Sequence, residues 1–154
     1  MFKDNNSPVG LFIQRRVTIS PLDTSSGDGN FYLKPNGVFY LAKDNKATIC
    51  PTKDFRNSDQ ITFATQSGPM LLINGTIHPA FKEGSTNVNV RNAVGILPDG
   101  RIVFAMSKDA INFYDFAEYF KNMGLKASRK NVTVVNKKQL LFLNRETYEK
   151  VKIY

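Results

Sequence analysis

The stretch ITFATQSGPMLLINGTIH, residues 61–78, decides the fold. Ile61–Thr65 and Met70–Ile73 read as strands, rich in branched and aromatic side chains. Pro69 has no N–H to give to a ladder, so pairing must break at Ser67-Gly68-Pro69. Asn74-Gly75 then separates Met70–Ile73 from Thr76–His78. That dipeptide accepts positive φ at both turn positions and is the strongest short hairpin signal. Strand, break, strand, tight turn and strand follow one another here, which points to a sheet of hairpins.

The same grammar extends outward in both directions. Val9–Gln14 and Val17–Leu22 pair across Gln14-Arg15-Arg16. Phe31–Leu33 and Val38–Ala42 flank Lys34-Pro35-Asn36-Gly37, which predicts another tight turn. Ala47–Cys50 is a shorter strand, and Val94–Leu97 meets Arg101–Met106 across Pro98-Asp99-Gly100. One helix is well marked. Asn112 caps it, with Asp115 three residues on for a capping box and Ile111 with Phe116 for a hydrophobic staple. Phe113, Phe116, Ala117 and Phe120 share one face, and Gly124 ends the element. Beyond it, Val132–Val135 and Leu140–Leu143 are further strand candidates, and Glu146–Val151 a short helix candidate. The predicted class is α+β: a mixed, mainly antiparallel sheet of hairpins with the Phe113–Met123 helix laid on it.

At 154 residues, 42% of them apolar and 18 of them Phe or Tyr, the chain is sufficient for one domain with a real core. No apolar run approaches the roughly 20 residues of a membrane span. The opening Met1-Phe2-Lys3-Asp4-Asn5-Asn6 lacks an apolar export segment. The single Cys50 cannot form an internal disulfide, and the single His78 cannot build a zinc site. No cofactor is expected. The net charge of +8 is uneven: residues 1–120 carry +1 and residues 121–154 carry +7. This basic stretch has no aromatic-rich strand and no nucleic-acid motif, so it reads as a solvated segment rather than a nucleic-acid surface.

Four places carry chemistry. In Ser25-Ser26-Gly27-Asp28-Gly29-Asn30, glycines allow N–H groups to converge on a phosphate or sugar oxygen, although a plain connection has the same composition. At Thr65-Gln66-Ser67-Gly68-Pro69 the broken ladder leaves Gln66 and Ser67 to face a ligand, or simply turns the chain. Arg91, just ahead of a strand and followed by Asn92, can fork two hydrogen bonds to a phosphate, or stand in solvent. His78 can move a proton near neutral pH, or be a hairpin end. Glycoside cleavage commonly uses two carboxyl groups. Asp23, Asp28 and Glu83 lie in loops and are the candidates, but nothing in the sequence pairs them.

Ser7-Pro8-Val9-Gly10-Leu11, the run from Gly29-Asn30-Phe31 through Lys34-Pro35-Asn36-Gly37-Val38-Phe39, Ala64 through Leu71, and Arg91-Asn92-Ala93-Val94-Gly95 follow one another in a characteristic order. In that order and spacing the chain resembles the phosphodiester glycosidase domain, over about Ser7 to Gly124. The bacterial branch is the closer likeness. The resemblance implies a hydrolase acting on a sugar linked through its anomeric carbon to a phosphodiester, in a periplasmic or secreted setting. It implies a phosphate held by Arg91 with Lys34, and Ser67, Gln66, Gly68, Asn30 and Asn92 around the sugar and phosphate oxygens. His78, Asp28 and Asp23 are then the proton-transfer candidates. The alternative is a catalytically inactive carbohydrate- or anion-binding remnant. Members also carry an Asn-Gly-Gly-Phe-like turn near the start and a Leu-Asp-Gly-Gly-like strand end. Here Met1-Phe2 would close the first, and Leu141-Phe142-Leu143-Asn144-Arg145 is the nearest echo of the second. The expectation is a domain over residues 1–124, incomplete at its start, and a divergent basic segment over residues 125–154, as in a truncated or frame-altered gene product.

Overall fold

The break at Gly68-Pro69 separates two sheets. In the computed structural model, which describes residues 7–125 and 131–134, β5 (Ile61–Ser67) lies in one sheet and β6 (Met70–Ile73) in another. The first sheet also contains β1 (Phe12–Gln14), β2 (Val17–Ser20), β3 (Gly37–Ala42) and β4 (Ala47–Pro51), in the order β2-β1-β5-β3-β4. The second contains β7 (Thr76–Ile77), β8 (Asn92–Ile96), β9 (Ile102–Met106) and β10 (Val132–Val134), in the order β7-β6-β10-β8-β9. Every strand pairing among the described residues is antiparallel. With the helix α1 (Phe113–Phe120) the class is α+β.

Side-chain alternation gives each sheet two apolar faces. Phe12, Phe39, Leu41, Ile49 and Phe63 of the first sheet meet Met70, Val94 and Phe104 of the second, forming the inner core. On the far side of the second sheet, Leu71, Ala93, Ala105 and Val132 receive Phe113, Phe116, Ala117 and Phe120 of the helix. The outer face of the first sheet, with Leu11, Ile13, Val38 and Ala64, is closed by Phe55 and Leu22 from loops.

The helix starts as the sequence predicts. Asn112 accepts from the Asp115 N–H at 2.9 Å, and its amide donates to the Asp115 carboxylate at 2.8 Å. Ile111 and Phe116 join the same apolar cluster. The chain continues through Lys121–Leu125 in a wider turn, in which Gly124 adopts φ +93°. The hairpins at Asn74-Gly75 and across residues 97–101 also form.

Two expectations change. Phe31–Leu33 is not a strand: Asn30–Tyr32 makes one 3-10 turn that buries Phe31. Lys34-Pro35-Asn36-Gly37 is therefore no hairpin turn, and β3 pairs with β4 and β5 instead. The basic stretch beyond Gly124 also enters the fold, since β10 lies between β6 and β8. The Leu140–Leu143 strand, the Glu146–Val151 helix, Asn144 and Met1-Phe2 lie outside the described residues.

Candidate functional site

The loop of residues 30–36 lies at the crossover between the sheets. Asn36 is buried, and its amide donates to the Phe31 carbonyl at 3.0 Å. Gly68 packs against the same loop so closely that an added Cβ would lie 2.6 Å from the Phe31 carbonyl oxygen and 2.9 Å from the Asn36 Cβ. Gly68 is thus a packing contact, required by close backbone approach.

A cavity of about 540 Å³ opens beside this loop. Its lining comes from four segments. Lys34, Pro35 and Asn36 come from the loop, Thr24 from the loop before it, Pro51 to Asp54 from the end of β4, and Ile73 with Asn74 from the β6–β7 turn. The Lys34 ammonium donates to the Thr24 carbonyl at 3.0 Å and to Ser26 Oγ at 3.4 Å. Lys53 makes no ion pair among the described residues. Among the described residues, two cations, two amides and two hydroxyls therefore surround the cavity, with Asp54 as the one carboxylate. Its volume falls in the usual range for small-molecule sites.

A smaller cavity of about 190 Å³ is lined by Asn30, Leu33, Lys82, Ser85, Asn87 and Phe113, among others. Behind its wall runs a column of flat groups. His78 stacks on Phe81 at 4.8 Å, and Phe81 on Phe113 at 4.9 Å. The Arg91 guanidinium carbon lies 3.5 Å from the Phe113 ring centre. Each end of the column is held by the backbone. Arg91 Nε donates to the Ile111 carbonyl at 2.8 Å, and a terminal nitrogen to the Asn87 carbonyl at 2.8 Å. Arg91 is only 6% exposed, and burial lowers its pKa. His78 is 2% exposed, and burial lowers its pKa below the usual 6.5 against an opposing hydrogen bond to the Lys34 carbonyl.

The residues singled out in the sequence thus separate into groups. Lys34 faces the larger cavity and Asn30 the smaller. Gln66 is fully buried: its Oε1 accepts from Leu11 N and Asp23 N, both at 3.0 Å, and its Nε2 donates to the Asp23 carbonyl at 2.6 Å. It fastens the loop before Thr24 to the sheet. Ser67 is buried at the end of β5, opposite Gly37. Asn92 opens β8, and its Oδ1 is buried with no hydrogen-bond partner. The Asp23 carboxylate accepts from the Ser25 N–H at 2.8 Å and from its hydroxyl, which lowers its pKa. Asp28 and Glu83 are exposed on separate loops.

The sequence did not single out Lys53, Asp54 or Thr52 as lining residues, and it marked Asn74 only as a turn. Their signal was weak: a short polar run after one strand and a turn residue after another. Burial and then the Asp54 charge push the Cys50 thiol up to about 11, which disfavours its nucleophilic thiolate. Among the described residues no group of three or more His, Cys, Asp or Glu could hold a metal ion, and no helix is long and apolar enough to cross a membrane.

Comparison with known proteins adds two findings. The chain is 40% identical over 144 residues to the uncharacterized protein YigE of Escherichia coli (strain K12), a match over 94% of this chain and 52% of that protein. The chain thus spans about half the length of the curated relative it matches, and the likeness runs past Gly124 into the stretch that contains β10. The family model described as phosphodiester glycosidase matches residues 1–128, so the chain belongs to the phosphodiester glycosidase family.

Proposed function

We propose that this chain binds a sugar joined through its anomeric carbon to a phosphodiester, and hydrolyses it, with the cavity of about 540 Å³ as the site. The observation that carries this reading is the lining. Lys34 and Lys53 supply two ammonium groups for the phosphodiester, which carries one negative charge. Asn74, Thr24 and Thr52 offer amide and hydroxyl groups to sugar oxygens. Ile73, Pro35 and Pro51 offer apolar surface to the sugar's C–H face.

Asp54, the one carboxylate of the lining among the described residues, takes the proton-transfer role. It accepts a proton from water as the water oxygen bonds to the anomeric carbon. The bond from that carbon to the phosphate oxygen breaks, and the electron pair leaves on a phosphate monoester. A phosphate monoester is stable as an anion, so its departure does not demand a second carboxyl group as acid. Lys34 and Lys53 offset the charge that develops on the departing oxygen. Asp23 adjoins Thr24 of the lining and is the next carboxylate to test, ahead of Asp28. Having one carboxylate in the lining among the described residues also suits a second reading, a domain that binds such ligands without cleaving them.

Release of free sugar from a synthetic sugar 1-phosphodiester separates the two readings. Turnover is expected, and Lys34→Ala should reduce kcat/KM by about 10- to 100-fold, as for loss of a hydrogen bond to a charged group. Wild-type protein that binds the substrate and releases no sugar would leave the binding reading alone.

A further inference from the structure

His78 sits outside both cavities, yet it holds part of the larger one. Its ring is fully enclosed, with one face on Phe81. Both ring nitrogens engage the backbone: Ala80 N is 3.1 Å from Nδ1, and the Lys34 carbonyl oxygen is 3.0 Å from Nε2. These partners fix the tautomer. A backbone N–H can only donate, so Nδ1 accepts. A carbonyl oxygen can only accept, so Nε2 carries the hydrogen. Lys34, Pro35 and Asn36, which begin at that carbonyl, are three of the lining residues.

We propose that His78, held as the neutral Nε2–H tautomer, is a positioning residue that anchors the Lys34–Asn36 wall of the larger cavity, and that protonating it displaces this wall. This deepens the proposed function, on which its ligand-binding consequence rests. A second proton on the ring must enter at Nδ1, where it faces the Ala80 N–H, donor against donor. The imidazolium keeps its Nε2–H on the Lys34 carbonyl but is pushed off Ala80, so the ring leaves its seat and draws the Lys34–Asn36 wall with it. Lys34 and Arg91, with Lys82, Glu83, Asp115 and Glu118, are the charged side chains on the elements around the ring. None contributes to its pKa, which burial lowers and the Lys34 carbonyl partly restores. The folded-state pKa lies below the unfolded value of about 6.5. Stability from the neutral ring is accordingly complete above about pH 6.5 and is lost as pH falls through the folded pKa.

The chain's having one histidine makes the test clean. Imidazole nitrogen NMR spectra at about pH 7.5 should show the Nε2–H tautomer. The Lys34 carbonyl carbon shift should then move with the imidazole, at one midpoint below about 6.5. The Nδ1–H tautomer, or a Lys34 carbonyl that ignores the titration, would overturn the anchor, whatever any ligand does. A sugar 1-phosphodiester keeps its charge over this range and supplies the second arm. Its affinity should fall about tenfold below the midpoint, the worth of one hydrogen bond. In His78→Phe, which keeps a flat ring beside Phe81, affinity should be weakened at every pH, with that slope gone. A wild-type affinity that does not change with pH would overturn the positioning role. Coupled shifts without binding at any pH would support the anchor and instead refute the proposed function.

Discussion

Asp54→Asn is expected to slow release of free sugar by about 10²- to 10⁴-fold, the usual worth of general acid–base help. The amide keeps the size of the side chain but cannot take a proton from water. Asp54 is exposed and lies at the cavity wall, so the fold has no stake in its charge. KM should change little, because the loss falls on the transition state alone. Steady-state kinetics beside a thermal melt make the check. An Asp54→Asn protein with full turnover would move the proton-transfer role elsewhere, and Asp23 would be mutated next.

The second large effect concerns the fold. Phe120→Ala should cost about 3–5 kcal/mol in stability, the range for emptying an aromatic site in a packed core. Phe120 is 0% exposed and lies edge-on to Phe116 with ring centres 5.4 Å apart. It belongs to the cluster formed with Leu71, Ala93 and Val132 of the second sheet. The next residue, Lys121, is only partly buried, and its replacement by Ala should stay within about 0.5 kcal/mol. Urea melts of both variants decide the point. Equal losses would mean that the helix does not rest on the sheet through this face.

The hairpins and the helix were legible because their signals are local. Asn74-Gly75 accepts positive φ wherever it occurs, and both residues adopt it here, at 51° and 80°. The Asn112 cap and the spacing of Phe113, Phe116, Ala117 and Phe120 likewise need only their own turn of chain. Phe31 shows the limit of such reading. Its aromatic ring suits a strand, yet it plugs the space above Gly10, where an added Cβ would meet its ring at 2.6 Å. The division into two sheets was only half legible. Pro69 announced a break in pairing, but not that the chain changes sheets there.

The site was less legible for a similar reason. Lys34 stands out beside Pro35, but Lys53, Asp54 and Asn74 meet it only because β4 and the β6–β7 turn end at the same place. Gln66 and Arg91 show the opposite case. Both carry the groups that a sugar phosphate needs, and both spend most of them on the chain itself. Composition cannot distinguish a polar group that awaits a ligand from one that holds a loop. Burial and hydrogen-bond partners make that distinction.

The cavity beside Lys34 is the proposed seat of the sugar phosphodiester. Calorimetric titration of a non-hydrolysed sugar 1-phosphodiester analogue tests it most directly, on wild type, a Lys34→Ala/Lys53→Ala double variant, and Lys82→Ala at the smaller cavity. Loss of two charged contacts should weaken binding by about 3 kcal/mol or more, over 100-fold. Lys82→Ala should bind as wild type does. A double variant that retains wild-type affinity while Lys82→Ala loses it would overturn this assignment and move the site to the smaller cavity.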